Sequence, residues 1–200
     1  MKRIFLSLSF FLFFNLQTTA FANVDIREYE TPEKFVARIF TATPPKQSAL
    51  WLTSNLKTEI QRDFDYQIRG LRVKYWEKDS RTVWILDEIG KEQPITLGLV
   101  IENNAISSIS VLIYRESRGG EIRYPFFTDQ FKSVQLIDIN ADKNLATNKK
   151  ENKKKKYKLS KRIDGITGAT LSVNATKKIT KVALFLHELT QKKLKADKEN

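Results

Sequence analysis

Residues 95–113, ITLGLVIENNAISSISVLI, decide the fold class. Ile95, Leu97, Leu99 and Ile101 fall at every second position, Asn103-Asn104 supplies a turn, and the chain returns through Ile106, Ile109, Val111 and Ile113. A period of two sets alternate side chains on one face, so strand, short turn and strand predict an antiparallel hairpin. Upstream, Leu71, Val73 and Tyr75 alternate with Arg72, Lys74 and Trp76, and residues 82–86 form a compact β-prone run, which extends the hairpin into a meander. Gly98 inside such a strand weakens it and marks close approach of another group.

Helical signals flank the meander. Thr31-Pro32-Glu33 reads as a helix start, with Thr as N-cap, Pro in the first turn and an acid at the positive dipole end. That helix carries Phe35, Val36, Ile39 and Phe40 inward, and Pro44-Pro45 breaks it. A second helix is expected over residues 47–64, with Leu50, Leu52, Leu56 and Ile60 among its apolar positions. After the meander come a loop at residues 117–120, Tyr124-Pro125-Phe126-Phe127, a short helix through Gln130-Phe131, and a strand at 134–139. The last helix runs from Thr170 to about Leu194, with Leu171, Ala175, Ile179, Val182, Ala183, Leu186 and Leu189 on one face. Lys177, Lys181, Glu188 and Gln191 occupy the other. The class is α+β: an antiparallel sheet with N-terminal helices and a C-terminal helix packed on it.

The first residues speak to compartment. Lys2 and Arg3, an apolar run over residues 4–16 and the small-residue site Ala20-Phe21-Ala22 have the order of a secretory signal peptide, with cleavage expected after Ala22 and a periplasmic product. An uncleaved anchor is the alternative, although the run is shorter than the roughly 20 residues a span needs. The expected organisation is then a signal peptide over 1–22, an N-terminal helical segment over 23–70, and an α+β domain over 71–195 with a Lys-rich insertion at 147–162. There is no cysteine, which excludes disulfides, thiolate metal ligation and c-type haem attachment. The lone histidine, His187, excludes a site of several imidazoles, and its place on the last helix predicts a surface residue.

Without Lys2 and Arg3 the chain keeps 33 basic against 23 acidic residues. The excess is concentrated in residues 149–162, KKENKKKKYKLSKR, which predicts a solvated, mobile loop, since such a run repels itself. No groove-reading motif accompanies it, so nucleic acid is not an expected partner. Docking of an acidic partner, or peripheral contact with an anionic membrane, is the functional alternative to a solvated loop.

Residues 164–172, DGITGATLS, are the most specific feature of the chain. Gly165 and Gly168 let the backbone turn tightly, Ala169 adds little bulk, and Thr170 presents a hydroxyl at a helix N-terminus, where free N–H groups and the dipole favour a phosphate. Thr167 or Thr170 serving as a plain helix cap is the other reading of the same residues.

The segment resembles the flavinylation motif of the FMN-binding domain family, Asp-x-x-(Ser/Thr)-Gly-Ala-(Ser/Thr). That family includes the flavoprotein subunits of the sodium-pumping NADH:quinone reductase and of the Rnf electron-transport complex. The resemblance makes Asp164 the motif acid, Thr167-Gly168-Ala169 its centre, and Thr170 the residue whose hydroxyl a flavin transferase esterifies with FMN taken from FAD. A second similarity lies upstream. Where the family has a Glu-Thr-Pro-Gly-x-Gly loop followed by a Phe and a Gln-Phe, this chain has Glu116-Ser117-Arg118-Gly119-Gly120, then Phe127 and Gln130-Phe131. Ser stands for Thr, Arg for Pro, and the second glycine comes one place early. The resemblance covers roughly residues 95–189.

What it implies is a periplasmic flavoprotein carrying covalent FMN and passing electrons between redox partners, such as a quinol-oxidising or cytochrome component. The implied cofactor contacts are Thr170, Asp164, Gly165, Thr167, Gly168, Ala169, Glu116, Ser117, Gly119 and Gly120. Phe126, Phe127, Tyr124 and Trp76 or Trp84 are candidate neighbours of the flavin ring, with core packing the alternative for each. A flavin-dependent reductase of a small substrate and a non-redox basic binding module are the competing functions.

Overall fold

The computed structural model describes residues 26–41, 43–139 and 156–199. The signal-like segment and residues 140–155 lie outside the described part. No described helix is long and apolar enough to cross a membrane.

The meander forms as its alternation requires. Strands β3 (Arg72–Lys78), β4 (Arg81–Ile89), β5 (Pro94–Glu102) and β6 (Ala105–Tyr114) pair antiparallel in chain order. Asn103 (φ 52°) and Asn104 (φ 60°) both adopt the left-handed region, so the β5–β6 turn is of the type whose twist matches the strands it joins. Two further strands complete a six-stranded sheet in the order β1-β6-β5-β4-β3-β2. These are β1 (Arg27–Glu28) on β6 and β2 (Ser48–Trp51) on β3.

Strand β2 corrects the expected 47–64 helix. The helix proper, α2, is Ser54–Phe64, and Thr53 is its N-cap, accepting from the Leu56 N–H at 3.2 Å. Leu50 is buried while Trp51 is exposed, the alternation of an edge strand. Segment 23–70 therefore contributes two strands to the sheet besides its helices.

A short helix, α3 (Pro125–Thr128), follows β6, and both faces of the sheet are covered. On one, α1 (Pro32–Phe40), capped by Thr31, packs Phe35, Val36 and Phe40 against Val83, Val100 and Leu112. The Phe35 ring lies flat on Gly98, where a Cβ would come within 2.5 Å of the ring, so the strand glycine exists for this contact. On the other face, α4 (Thr170–Glu199) and α2 enclose the larger core around Trp84, Leu97, Leu99, Ile179 and Leu186.

Helix α4 is buried more widely than one stripe. A small hairpin, β7 (Leu136–Asp138) with β8 (Tyr157–Leu159), covers its flank, and Phe185 meets the rings of Tyr157 and Phe64 at 5.6 and 5.1 Å. Strand β8 shows that the described end of the polybasic run is held in a hairpin rather than forming a loop. Leu171, expected inward, is 49 % exposed.

His187 is the clearest departure from expectation. It is buried, 1 % exposed, with Nδ1 2.7 Å from Thr82 Oγ1 and Nε2 3.0 Å from Asn104 Oδ1. The Trp84 indole N–H donates to the same Thr82 oxygen at 2.9 Å. Burial holds the imidazole down to about 4, so it is neutral and each of its nitrogens is used. It ties α4 to β4 and to the β5–β6 turn, far from the start of the helix.

Candidate functional site

The first turn of α4 is prepared by a tight turn. Gly168 takes φ 80°, which an L side chain tolerates poorly, and the Ala169 N–H closes back onto the Ile166 carbonyl at 3.0 Å. The Ala169 carbonyl then accepts the Val173 N–H at 2.9 Å, so alanine, not threonine, is the N-cap. Thr170 is thus the first helical residue, exposed, with its hydroxyl not used as a cap. No acidic side chain stands in this first turn. The positive end of a 30-residue helix is left for an external anion.

The loop after β6 is pressed onto that helix start. Tyr114, fully buried, donates its hydroxyl hydrogen to the Arg118 carbonyl and lies 2.9 Å from Ser172 Oγ, from which it accepts. Burial pushes the Tyr114 phenol up, against the pull of the Ser172 hydrogen bond, and keeps it a neutral donor. Gly119, at φ 88°, fits between these groups: a Cβ there would fall 2.8 Å from both the Tyr114 hydroxyl and Ser172 Oγ, and 3.3 Å from Ala169 Cβ. Gln130 makes a further tie, its Oε1 accepting the Asp164 N–H at 2.7 Å.

Between loop and helix start lies a cleft of about 350 Å³. Ser117, Gly119, Gly120, Thr167 and Gly168 line it, so five of the ten residues singled out from sequence meet at one place. Arg27, Arg118 and Arg123 also line it, against Glu121 alone among acids. Such a lining suits a phosphate and the negative charge of a reduced flavin. The Arg123 guanidinium is stacked between the rings of Tyr29 and Tyr124, at 4.8 and 4.2 Å.

The other five sit differently. Ala169 is buried beneath Gly119, and Thr170 follows it at the helix mouth. Asp164 and Gly165 face a second cleft, lined also by Lys158, Lys177 and Lys181, and the Asp164 carboxylate is 3.6 Å from Arg162. Glu116 is buried, its Oε1 accepting the backbone N–H groups of Lys91, Glu92 and Gln93 at 2.5, 2.7 and 2.9 Å. It organises the β4–β5 connection and does not line the arginine cleft.

Of the candidate ring neighbours, only Tyr124 borders the cleft. Trp84 and Phe127 are in the core, Trp84 stacked on Tyr75 at 4.8 Å, and Trp76 packs on the α1 side. Phe126 is exposed, 6.3 Å from the Tyr124 ring. Tyr29, Arg27 and Arg123 were not foreseen. Their place depends on β1 pairing with β6, a two-residue strand too short to carry any periodic signal.

A larger cleft, about 810 Å³, lies between α2 and β4, lined by Tyr66, Asp87, Glu88, Arg115 and Lys178. Its lining is balanced in charge, Asp65, Asp87 and Glu88 standing against Arg69, Arg115 and Lys178, and Lys178 bridges Glu88 and Asp65. It therefore has no comparable claim on an anion.

No curated protein matches the chain. Residues 90–184 match the family model of the FMN-binding domain, a span that begins at the turn held by Glu116 and ends inside α4. The loop and the turn into α4 that meet at the basic cleft fall within that span; residues 90–184 of this chain belong to the FMN-binding domain family, and the protein is a flavin-binding one.

Proposed function

We propose that the chain is an exported electron carrier whose FMN is esterified through its phosphate to Thr170. The observation that carries this reading is the seating of Gly119 on Ser172 and Ala169, which presses the Ser117–Gly120 loop against the helix that Thr170 begins, with Thr167 and Gly168 just before it lining the arginine cleft. In esterification a flavin transferase brings FAD to the helix mouth. The Thr170 oxygen bonds the FMN phosphorus, AMP leaves with the bridging oxygen, and the hydroxyl proton passes to a base of the transferase.

The flavin supplies the redox chemistry, and the chain's own residues hold and tune it. N–H groups of the first turn of α4 would bind the phosphate, and the space beside Gly168, where a Cβ would meet nothing within 4 Å, leaves their approach open. Arg27, Arg118 and Arg123 would offset the negative charge of a flavin held there, with Tyr29 and Tyr124 holding Arg123 in place. The signal-like residues 1–22 support a periplasmic setting, where a covalent bond prevents loss of a cofactor that cannot be replenished.

The test is the intact mass of the processed chain co-produced with a flavin transferase. FMN should appear on the peptide containing Thr170, remain with Thr170→Ser and vanish with Thr170→Ala. An exported, folded chain with no added mass and no flavin fluorescence on a denaturing gel would end the covalent reading.

A further inference from the structure

The second cleft is a different kind of surface from the first. It measures about 540 Å³ and is lined by Asp164 and Gly165, in the segment that leads into Thr170. Lys158 on β8 and Lys177 and Lys181 on α4 line it together with Lys161 and Arg162, and Asp164 is its only carboxylate among the lining residues. Ile139, Leu159 and Ile163 give it an apolar floor. Lys158 is carried by a paired strand and Lys177 and Lys181 by one helix, so regular backbone sets the spacing of the residues that bear this charge.

We infer that this cleft docks an acidic protein surface, that of the redox partner of the flavin. The inference rests on the electron-carrier reading above and names the chemistry of the partner. A concave basic rim over an apolar floor complements a protruding acidic loop or helix with an apolar tip. A membrane surface is flat and would be met by a convex basic face. Position adds to the case. Lys177 stands two helical turns beyond Thr170, roughly 10 Å along the axis, so a partner bound there is held beside the flavin attachment point.

The test uses the full processed chain, co-produced with a flavin transferase, and an acidic c-type cytochrome as probe, with binding followed by titration calorimetry at low and at physiological salt. Binding should be tight at low salt and weaken steeply with salt. Lys158→Glu/Lys177→Glu should weaken it at least tenfold. Lys34→Glu/Lys74→Glu, an equal change of charge elsewhere, should weaken it less than threefold, and Lys158→Arg/Lys177→Arg should leave it intact. Equal losses in the two charge-reversed variants, or no binding by the unmodified chain, would overturn the proposal. So would loss of binding to phosphatidylglycerol vesicles in Lys158→Glu/Lys177→Glu with cytochrome binding untouched. Flavin content, read from visible absorbance of each sample, is independent of these titrations. A colourless chain that still binds the cytochrome at this cleft refutes the carrier reading and leaves a docking surface without its redox role, whereas a yellow chain that does not bind refutes only the docking.

Discussion

Gly119 and Ser172 touch with no space for a side chain between them: a Cβ on Gly119 would stand 2.8 Å from Ser172 Oγ. The contact joins residues 53 positions apart and is the point at which the loop after β6 meets the helix that carries Thr170. Gly119→Ala suffers twice, from the left-handed backbone at φ 88° and from collision with Ser172 and the Tyr114 hydroxyl. The backbone alone costs about 1–2 kcal/mol. Urea denaturation should show at least that loss, and the folded fraction should carry less flavin. An unchanged midpoint with full flavin content would mean that the loop is not packed on α4.

Two glycines of DGITGATLS separate backbone from contact. Gly168 has φ 80° and Gly165 does not lie in that region, yet a Cβ at either position meets nothing within 4 Å. Gly168→Ala should therefore cost about 1 kcal/mol through conformation alone. Gly165→Ala should stay within about 0.5 kcal/mol of the natural chain, as surface changes of this kind do. Thermal denaturation of the pair decides it; equal effects would remove the special role of the turn at Gly168.

Glu116 was singled out beside Ser117 as a cofactor contact, and the structure gives it another task. Its Oε1 is shared by three backbone N–H groups of the β4–β5 turn. Glu116→Ala leaves those donors without their acceptor and should destabilise the fold by about 2 kcal/mol or more, given the strength of hydrogen bonds to charged groups. Below its lowered melting temperature the variant should still take up flavin. Loss of flavin with unchanged stability would instead make Glu116 a direct ligand.

How far these features were legible follows from where their signals lie. The β5–β6 hairpin, α1 with its Thr31 cap and the start of α4 were readable because period, cap and turn chemistry are local. The 47–64 stretch misled because Leu50, Leu52, Leu56 and Ile60 suggest one amphipathic run. The Thr53 N-cap that divides it is a weaker signal than the leucines around it. The arginine cleft was half visible: its glycines sit in motifs, but Arg27 and Tyr29 arrive through a two-residue strand, and Arg123 through stacking on tyrosines. His187 reads as a surface residue because it stands at the edge of the polar arc of α4, whereas β4 and the β5–β6 turn reach it through Thr82 and Asn104, contacts distant in sequence.

That burial has a consequence for pH. The folded chain holds His187 neutral down to about 4, against 6.5 for an ordinary imidazole. As pH falls below 6.5 the unfolded chain binds a proton that the folded chain refuses, and the unfolded state gains. Stability is therefore undiminished above about 6.5, declines between 6.5 and about 4, and loses nothing further from this residue once the folded imidazole also protonates. The full loss is about 3 kcal/mol, each pH unit of difference being worth about 1.4 kcal/mol. Proton entry would also break the bond from Thr82, since a charged imidazole has no acceptor to offer. His187→Gln, with no titrating ring, should be less stable at pH 7 but should lack this share of the decline. Urea unfolding of both chains at pH 7 and pH 5 measures it: the gap between them should narrow at the lower pH, and a constant gap would show that His187 titrates normally in the folded chain.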